Sequence, residues 1–325
     1  MFIKKRNFLF DNLKGFLIIC VIIGNSIEYA DLTSVNPHYF LLVLYIFHMP
    51  LFAFISGYFS KKSRRSTQKK VTGILKIFIG AQIFYFILNR FILGDTDLKL
   101  QFFSPSWTMW YFISLMSWYI IADFIKDKKK WFVYSIIAAL LIGFDPSVGG
   151  HVSISRTFFF LPIFIAGMSL NELTLDTLRK NRKIIGVFSL IILIVLYVLK
   201  DNTPLELFFE YDKYTSYFNS ALYPLAMRMF HYLGAFTIGA FILSITPTKK
   251  TCLSIIGQYS IVMYVSHGAI IKLLYKYSLT KYNSLISTIL SEILILTITI
   301  GLTILYAHVK KLDLKNKLLT KVNSF

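Results

Sequence analysis

Charge is scarce in this sequence. Only 16% of its 325 residues are Asp, Glu, Lys or Arg, against about 25% in an ordinary soluble domain. Cysteine is scarcer still. Cys20 and Cys252, both inside apolar runs, exclude a disulfide framework and any cysteine-rich metal centre, and no other metal-ligand spacing is present. Acidic residues number 16 against 35 basic ones. Internal repeats and low-complexity linkers are absent. What remains is apolar: 56% hydrophobic residues, with 31 Phe and 20 Tyr. At about 20 residues per crossing, such a chain has room for some ten helices and little for an aqueous domain. The predicted fold class is therefore an all-α integral membrane protein, a bundle of about ten transmembrane helices forming one membrane domain over residues 1–325.

The net charge of +19 suggests nucleic acid in a soluble protein, but here its distribution argues otherwise. Apolar spans are predicted at 11–31, 39–59, 71–93, 107–125, 131–143, 154–170, 184–199, 221–245, 252–275 and 284–308. With the N-terminus inside, 24 Lys and Arg fall in inner segments and 5 in outer ones. Cytoplasmic loops collect such residues. This predicts both termini in the cytoplasm, a basic cytoplasmic tail at 309–325, a multi-pass protein of the plasma membrane with the bilayer as its partner, and no nucleic acid. The first span runs into Glu28 without a small-residue cleavage pattern, so it is expected to stay as a helix. The segment from Lys200 to Ser220 is expected to be an outer surface loop, a partly structured cap over an outward cavity being the alternative.

Ionisable groups within spans are costly and usually face an interior cavity. In the first span, Asp11, Lys14, Asn25 and Glu28 are spaced by 3, 11 and 3 residues. At about 100° per residue, eleven residues return to within roughly 20° of the start, which predicts one polar stripe with Lys14 and Asn25 about 16 Å apart along the axis. His48, Arg156, His267, Glu292 and the pair Arg228 and His231 fall at related depths in other spans. An ion pair between Arg228 and Glu292 is the structural alternative for those two. Ser56 with Gly57 reads as a close helix-packing position rather than a nucleophile.

These residues carry a resemblance. Arg6–Gly15 followed by Val21-Ile22-Ile23-Gly24-Asn25 is similar to the opening motif of the acyltransferase-3 family, in particular the branch of fucose 4-O-acetylases and related acetyltransferases. Phe47-His48-Met49-Pro50-Leu51-Phe52 through Ser56-Gly57-Tyr58-Phe59 resembles its second motif. Trp107-Thr108-Met109-Trp110-Tyr111, Arg156–Pro162, and Gly257-Gln258-Tyr259-Ser260 with Tyr264 and His267 follow in the same order.

The resemblance implies a membrane O-acyltransferase that moves acetyl from acetyl-CoA, the acyl donor, onto a hydroxyl of a cell-surface or lipid-linked carbohydrate acceptor, with no bound cofactor. Surface-polysaccharide assembly proteins are implied as possible partners. One departure stands out: the family pattern places a histidine eleven residues after its basic residue, and here Lys14 is followed at that spacing by Asn25. An amide cannot cycle a proton near neutral pH as imidazole does, so a displaced base is expected at His48 or His267, with Asn25 positioning a hydroxyl or an oxyanion. Lys14, Arg156 and Arg228 are the expected donor-binding residues, with Lys61, Lys62, Arg64 and Arg65 available to phosphates. Asp11, Glu28 and Glu292 complete the polar seam, and Trp107 and Trp110 are the expected acceptor rim, or else an interfacial belt. The alternatives from other classes are a transporter or flippase for a lipid-linked sugar, and a catalytically silent scaffold.

Overall fold

The computed structural model describes residues 8–30, 36–63, 65–147 and 153–322, with side chains through Leu312. Arg6, Asn7 and Arg64, along with the side chains of the tail from residue 313 onward, lie outside the described residues. Every regular element among the described residues is helical. In chain order these are α1 (Phe8–Ala30), α2 (His38–Tyr45), α3 (His48–Lys62), α4 (Thr67–Ile87), α5 (Trp110–Phe124), α6 (Lys128–Leu141), α7 (Ile154–Ser169), α8 (Glu172–Lys180), α9 (Arg182–Leu199), α10 (Leu222–Ile245), α11 (Cys252–Gln258), α12 (Ser260–Lys276) and α13 (Leu285–Val322).

Each of the ten predicted apolar segments carries helix among the described residues, but fewer than ten of these helices are long enough to cross a membrane alone. Six helical stretches meet the length and hydropathy needed: Phe8–Ala30, His38–Lys62, Thr67–Ile92, Arg182–Asn202, Leu222–Ile245 and Leu285–Leu312. Two bent pairs, α7 with α8 (100°) and α11 with α12 (81°), bring the count to as many as eight. The remaining two, α5 and α6, have 15 and 14 residues, short of the roughly 20 that a bilayer core requires. Physical causes mark several ends. Asp127 caps α6 by accepting from the amides of Lys129 and Lys130 (3.0 and 3.2 Å), and Asn171 caps α8 through Thr174 (2.8 Å).

The chain divides into two compact units, one made of Met1–Val35 with Pro247–Phe325 and one of Asn36–Thr246. In the first, α1 packs on α11, α12 and α13. The α1–α11 crossing is glycine on backbone in both directions. A Cβ on Gly15 would collide with the carbonyl of Leu253, and one on Gly257 with the carbonyl of Asp11. Small residues let backbones approach in this way where lipid supplies no hydrophobic drive. Asn12 fastens the same crossing, donating to the carbonyls of Pro247 and Lys249 (2.8 Å each) and accepting from the Thr251 hydroxyl (2.7 Å).

The second unit repeats the device. Gly57 of α3 lies against the Phe164 carbonyl and Gly167 of α7 against that of Phe54, so the Ser56-Gly57 step is a packing position. Ser56 itself exchanges a hydrogen bond with the Tyr111 hydroxyl (2.8 Å). Helix α7 is also held by α5, where the Trp118 indole donates to the Thr157 carbonyl (2.9 Å). It is held by α10 too, where the Tyr232 hydroxyl donates to the Phe159 carbonyl (2.7 Å).

The segment between α9 and α10 departs from the expected surface loop. It folds into three short 3₁₀ turns, Lys200–Asn202, Leu205–Phe209 and Tyr214–Ser216, and buries Phe208, Glu210 and Tyr214. Its aromatic residues supply the apolar area that anchors it. The Tyr214 hydroxyl donates to the Leu140 carbonyl (2.8 Å), and burial pushes that phenol up to about 12.

Candidate functional site

In the unit built on α1, the polar stripe resolves into three separate partnerships. Asp11 and Lys14 form an i,i+3 ion pair (3.0 Å), with Asp11 buried and Lys14 half-buried. Asn25, one turn from half-buried Glu28, has its amide nitrogen 2.9 Å from Nε2 of His267. The other ring nitrogen of His267, Nδ1, faces the Met263 carbonyl at 3.0 Å. A carbonyl only accepts, so Nδ1 carries the proton and Nε2 the lone pair, which receives the Asn25 N–H. The third partnership is at Glu292. Ser26 donates to its carboxylate, with contacts of 2.7 and 2.6 Å to the two oxygens, and the Tyr282 hydroxyl stands at 3.4 Å.

In the other unit the centre is Arg228. The expected alternative of an Arg228–Glu292 pair is not realised. Nε of Arg228 lies 2.6 Å from Oε2 of Glu210, with both side chains buried. One guanidinium nitrogen donates to the Ala139 carbonyl (2.9 Å) and another to the Ser155 hydroxyl (3.3 Å), and the group lies over the Tyr214 ring at 4.8 Å. The second carboxylate oxygen of Glu210 accepts from Nδ1 of His231 at 2.9 Å. The His231 ring packs against Phe208 (4.7 Å) and Phe159 (4.8 Å), and its Nε2 is buried with no hydrogen-bond partner among the described residues. Glu210 holds a left-handed backbone (φ 54°), a conformation uncommon outside glycine and asparagine.

His48 begins α3 fully enclosed, 2% exposed. Its Nδ1 donates to the Leu44 carbonyl (2.6 Å), which leaves the lone pair on Nε2, and the ring meets Tyr45 edge to face (4.8 Å). Arg156 donates through Nε to the Phe209 carbonyl (2.7 Å). Its guanidinium lies over Trp110 at 4.8 Å and over Tyr211 at 5.0 Å, a cation–π arrangement. Trp110 is buried and stacks on Phe160 (5.3 Å), so it forms a wall beneath Arg156, while Trp107 is half-buried with a positive φ of 41°.

Two further features of this unit bear on ligands. Lys61 at the end of α3 stands beside Lys128 at the start of α6. Burial and then the Lys61 ammonium hold the Lys128 amine below its usual range. An open groove of about 610 Å³ is lined by His38, Asp201, Asn202, Thr203, Tyr217 and Tyr223, among others. Among the described residues, no group of three or more His, Cys, Asp or Glu is placed to hold a metal ion.

Sequence reasoning thus singled out His48, Asn25, His267, Arg156, Arg228 and Glu292 but missed what several of them touch. Glu210 was missed altogether as a site residue. Its sole signal was a lone carboxylate inside the aromatic run Phe208-Phe209-Glu210-Tyr211.

Comparison with known proteins agrees with the motif reading. Over 163 residues, 44% of this chain, the sequence is 28% identical to the nodulation protein NolL of Mesorhizobium japonicum, and the match spans 42% of that protein. No solved structure matches the chain. A family profile described as an acyltransferase domain matches residues 7–308. With its apolar helices, that match makes this chain a multi-pass membrane protein that belongs to the acyltransferase-3 family.

Proposed function

We propose that this protein transfers acetyl from acetyl-CoA to a hydroxyl of a cell-surface or lipid-linked carbohydrate. Family membership supplies the acyltransferase chemistry. What supports the donor assignment is the acyltransferase family match together with a basic site where Lys61 and Lys128 stand side by side. Like charges held together are relieved by a polyanion, and the phosphates of CoA are one. On this reading residues 1–325 act as one membrane domain in the plasma membrane, with the basic end of α3, the 309–325 tail and both termini in the cytoplasm, where CoA is made. The groove of Tyr217, Tyr223, Asp201 and Asn202 supports a carbohydrate acceptor, because aromatic faces with carboxylate and amide groups are what a sugar ring and its hydroxyls take. The lone pair of His267 is already filled by Asn25, so the proton of the attacking hydroxyl goes to an imidazole of the Asn36–Thr246 unit. Surface-polysaccharide assembly proteins are the partners such an activity calls for.

The test is the O-acetyl content of the host's surface polysaccharide with and without the protein, paired with transfer from radiolabelled acetyl-CoA in reconstituted vesicles. Loss of glycan acetyl groups together with label in the glycan supports the proposal. Unchanged acetyl content with an altered amount of exported glycan overturns it in favour of a sugar transporter.

A further inference from the structure

We infer that Glu210 and His231 are the general-base dyad of this enzyme, with Nε2 of His231 accepting the proton of the acceptor hydroxyl; the inference rests on the acyl-transfer reading above. Among the described residues three imidazoles are buried, and each has its Nδ1 committed. His267 gives Nδ1 to a carbonyl and has Nε2 filled by Asn25. His48 gives Nδ1 to a carbonyl. His231 alone gives it to a carboxylate. That is the arrangement in which a carboxylate fixes tautomer and ring orientation and steadies the imidazolium formed during reaction. Its Nε2 has no partner among the described residues although the side chain is 1% exposed. A buried polar atom left unpaired costs about 1–3 kcal/mol, and such an atom is explained when a reacting group fills the place.

The surroundings fit a base. Phe208 stacks on the ring and Phe159 packs against it at a tilt, which limits its rotation. Arg228 pairs with the other carboxylate oxygen of Glu210 at 2.6 Å and so fixes the carboxylate that faces the ring. The strained φ of Glu210 belongs with the residues that clusters of catalytic groups hold in uncommon conformations. Charged or titratable groups near His231 are Glu210 from the 205–210 turn, Arg228 and Tyr232 from its own helix, Tyr214, and the imidazole of His48.

In the step itself, the acceptor oxygen forms its bond to the thioester carbonyl carbon as His231 takes the hydroxyl proton. Collapse then breaks the carbon–sulfur bond, and the proton passes to the departing CoA sulfur. No oxidant, reductant or further reactant is needed. This dyad takes the place of the histidine that the family pattern has where this chain has Asn25.

The test compares His231→Asn, His48→Asn and Glu210→Gln in full-length protein reconstituted with acetyl-CoA and the host glycan. Asparagine puts an amide nitrogen close to where Nδ1 stood, so the bond to Glu210 survives while Nε2 disappears. Inserted protein and acetyl-CoA binding are measured alongside, with Glu210→Asp as a conservative partner. Expected are a ~10²–10⁴-fold loss of kcat in His231→Asn with unchanged acetyl-CoA binding, and a shift of the acid limb of kcat/KM to lower pH in Glu210→Gln that Glu210→Asp partly restores. A loss of less than threefold in His231→Asn, or a large loss confined to His48→Asn, overturns the dyad while leaving acyl transfer in place. A wild-type protein that moves no acetyl group overturns both.

Discussion

The Asn25 amide and Nε2 of His267 are hydrogen-bonded across 2.9 Å, the amide donating into the imidazole lone pair. Where the family pattern has a histidine, this chain therefore has a group that occupies another histidine. The consequence is measurable. Asn25→Ala removes one hydrogen bond of about 1–1.5 kcal/mol and is expected to lower kcat/KM by about tenfold. Asn25→His is expected not to raise activity, because the imidazole at 267 already fills that contact. Steady-state kinetics at matched expression decides both, and a several-fold gain in Asn25→His identifies residue 25 as the vacant base position.

Arg228 now predicts a stability effect first. Its guanidinium neutralises a carboxylate that has no access to water, and leaving a buried charge unpaired costs about 3–5 kcal/mol. Arg228→Leu is expected to reduce the amount of inserted protein sharply. Combining it with Glu210→Gln is expected to restore abundance without restoring transfer. Immunoblots of membranes and the acetyl-transfer assay separate the two effects, and full abundance of Arg228→Leu alone would remove the pair from the fold's support.

Lys61 and Lys128 give a binding prediction. Lys61→Ala is expected to raise the acetyl-CoA KM several-fold with kcat nearly unchanged, the pattern of lost uniform binding. It is also expected to lessen the dependence of KM on salt. Removing Lys61 lets the Lys128 amine return towards its ordinary range, which a titration of lysine reactivity at that position reads directly. A kcat effect with KM constant would place these lysines elsewhere than the donor site.

The glycine crossings give a folding prediction. Gly257→Ala and Gly167→Ala each drive a methyl into a carbonyl and are expected to destabilise by at least the ~1–3 kcal/mol of an overpacked core. Gly73→Ala and Gly80→Ala, where a Cβ meets nothing within 4 Å, are expected to be neutral or slightly stabilising. Thermal unfolding in detergent tests the contrast.

Orientation is tested by labelling single cysteines introduced into a background lacking Cys20 and Cys252. A membrane-impermeant reagent applied to sealed cells is expected to modify a cysteine at Tyr211 and to leave one at Ser66 untouched. Modification at Ser66 would reverse the assignment of every cytoplasmic segment.

The places where sequence reasoning held and where it failed follow from what a sequence pattern encodes. Apolar run length located helices as distant as α1 and α13, and the packing role of Gly57 was legible because small residues at a helix crossing have few other uses. The stripe of Asp11, Lys14 and Asn25 was legible through the helical period, but the partners on it were not. Whether Asn25 meets a histidine depends on α12, 242 residues away in sequence. The count of ten crossings was not met at α5 and α6, whose 15 and 14 residues are too few. The predicted span at 131–143 was itself short, and at α5 the first residues of the predicted run, Trp107–Met109, form a separate 3₁₀ turn. Glu210 was illegible for the opposite reason: a carboxylate between two apolar helices reads as solvated until the arginine that draws it inward is known.

Because that carboxylate is carried on the 200–220 segment, the segment is not a replaceable cassette. Most of the lining of the proposed acceptor groove and the carboxylate bonded to His231 lie on the one 200–220 stretch. Grafting this stretch between relatives would exchange the carboxylate bonded to His231 together with the groove residues in the same operation. If the groove takes the proposed acceptor, its range is open to redesign through Tyr217 and Tyr223, both lining the groove, one side chain at a time, with the backbone around Glu210 left as it is.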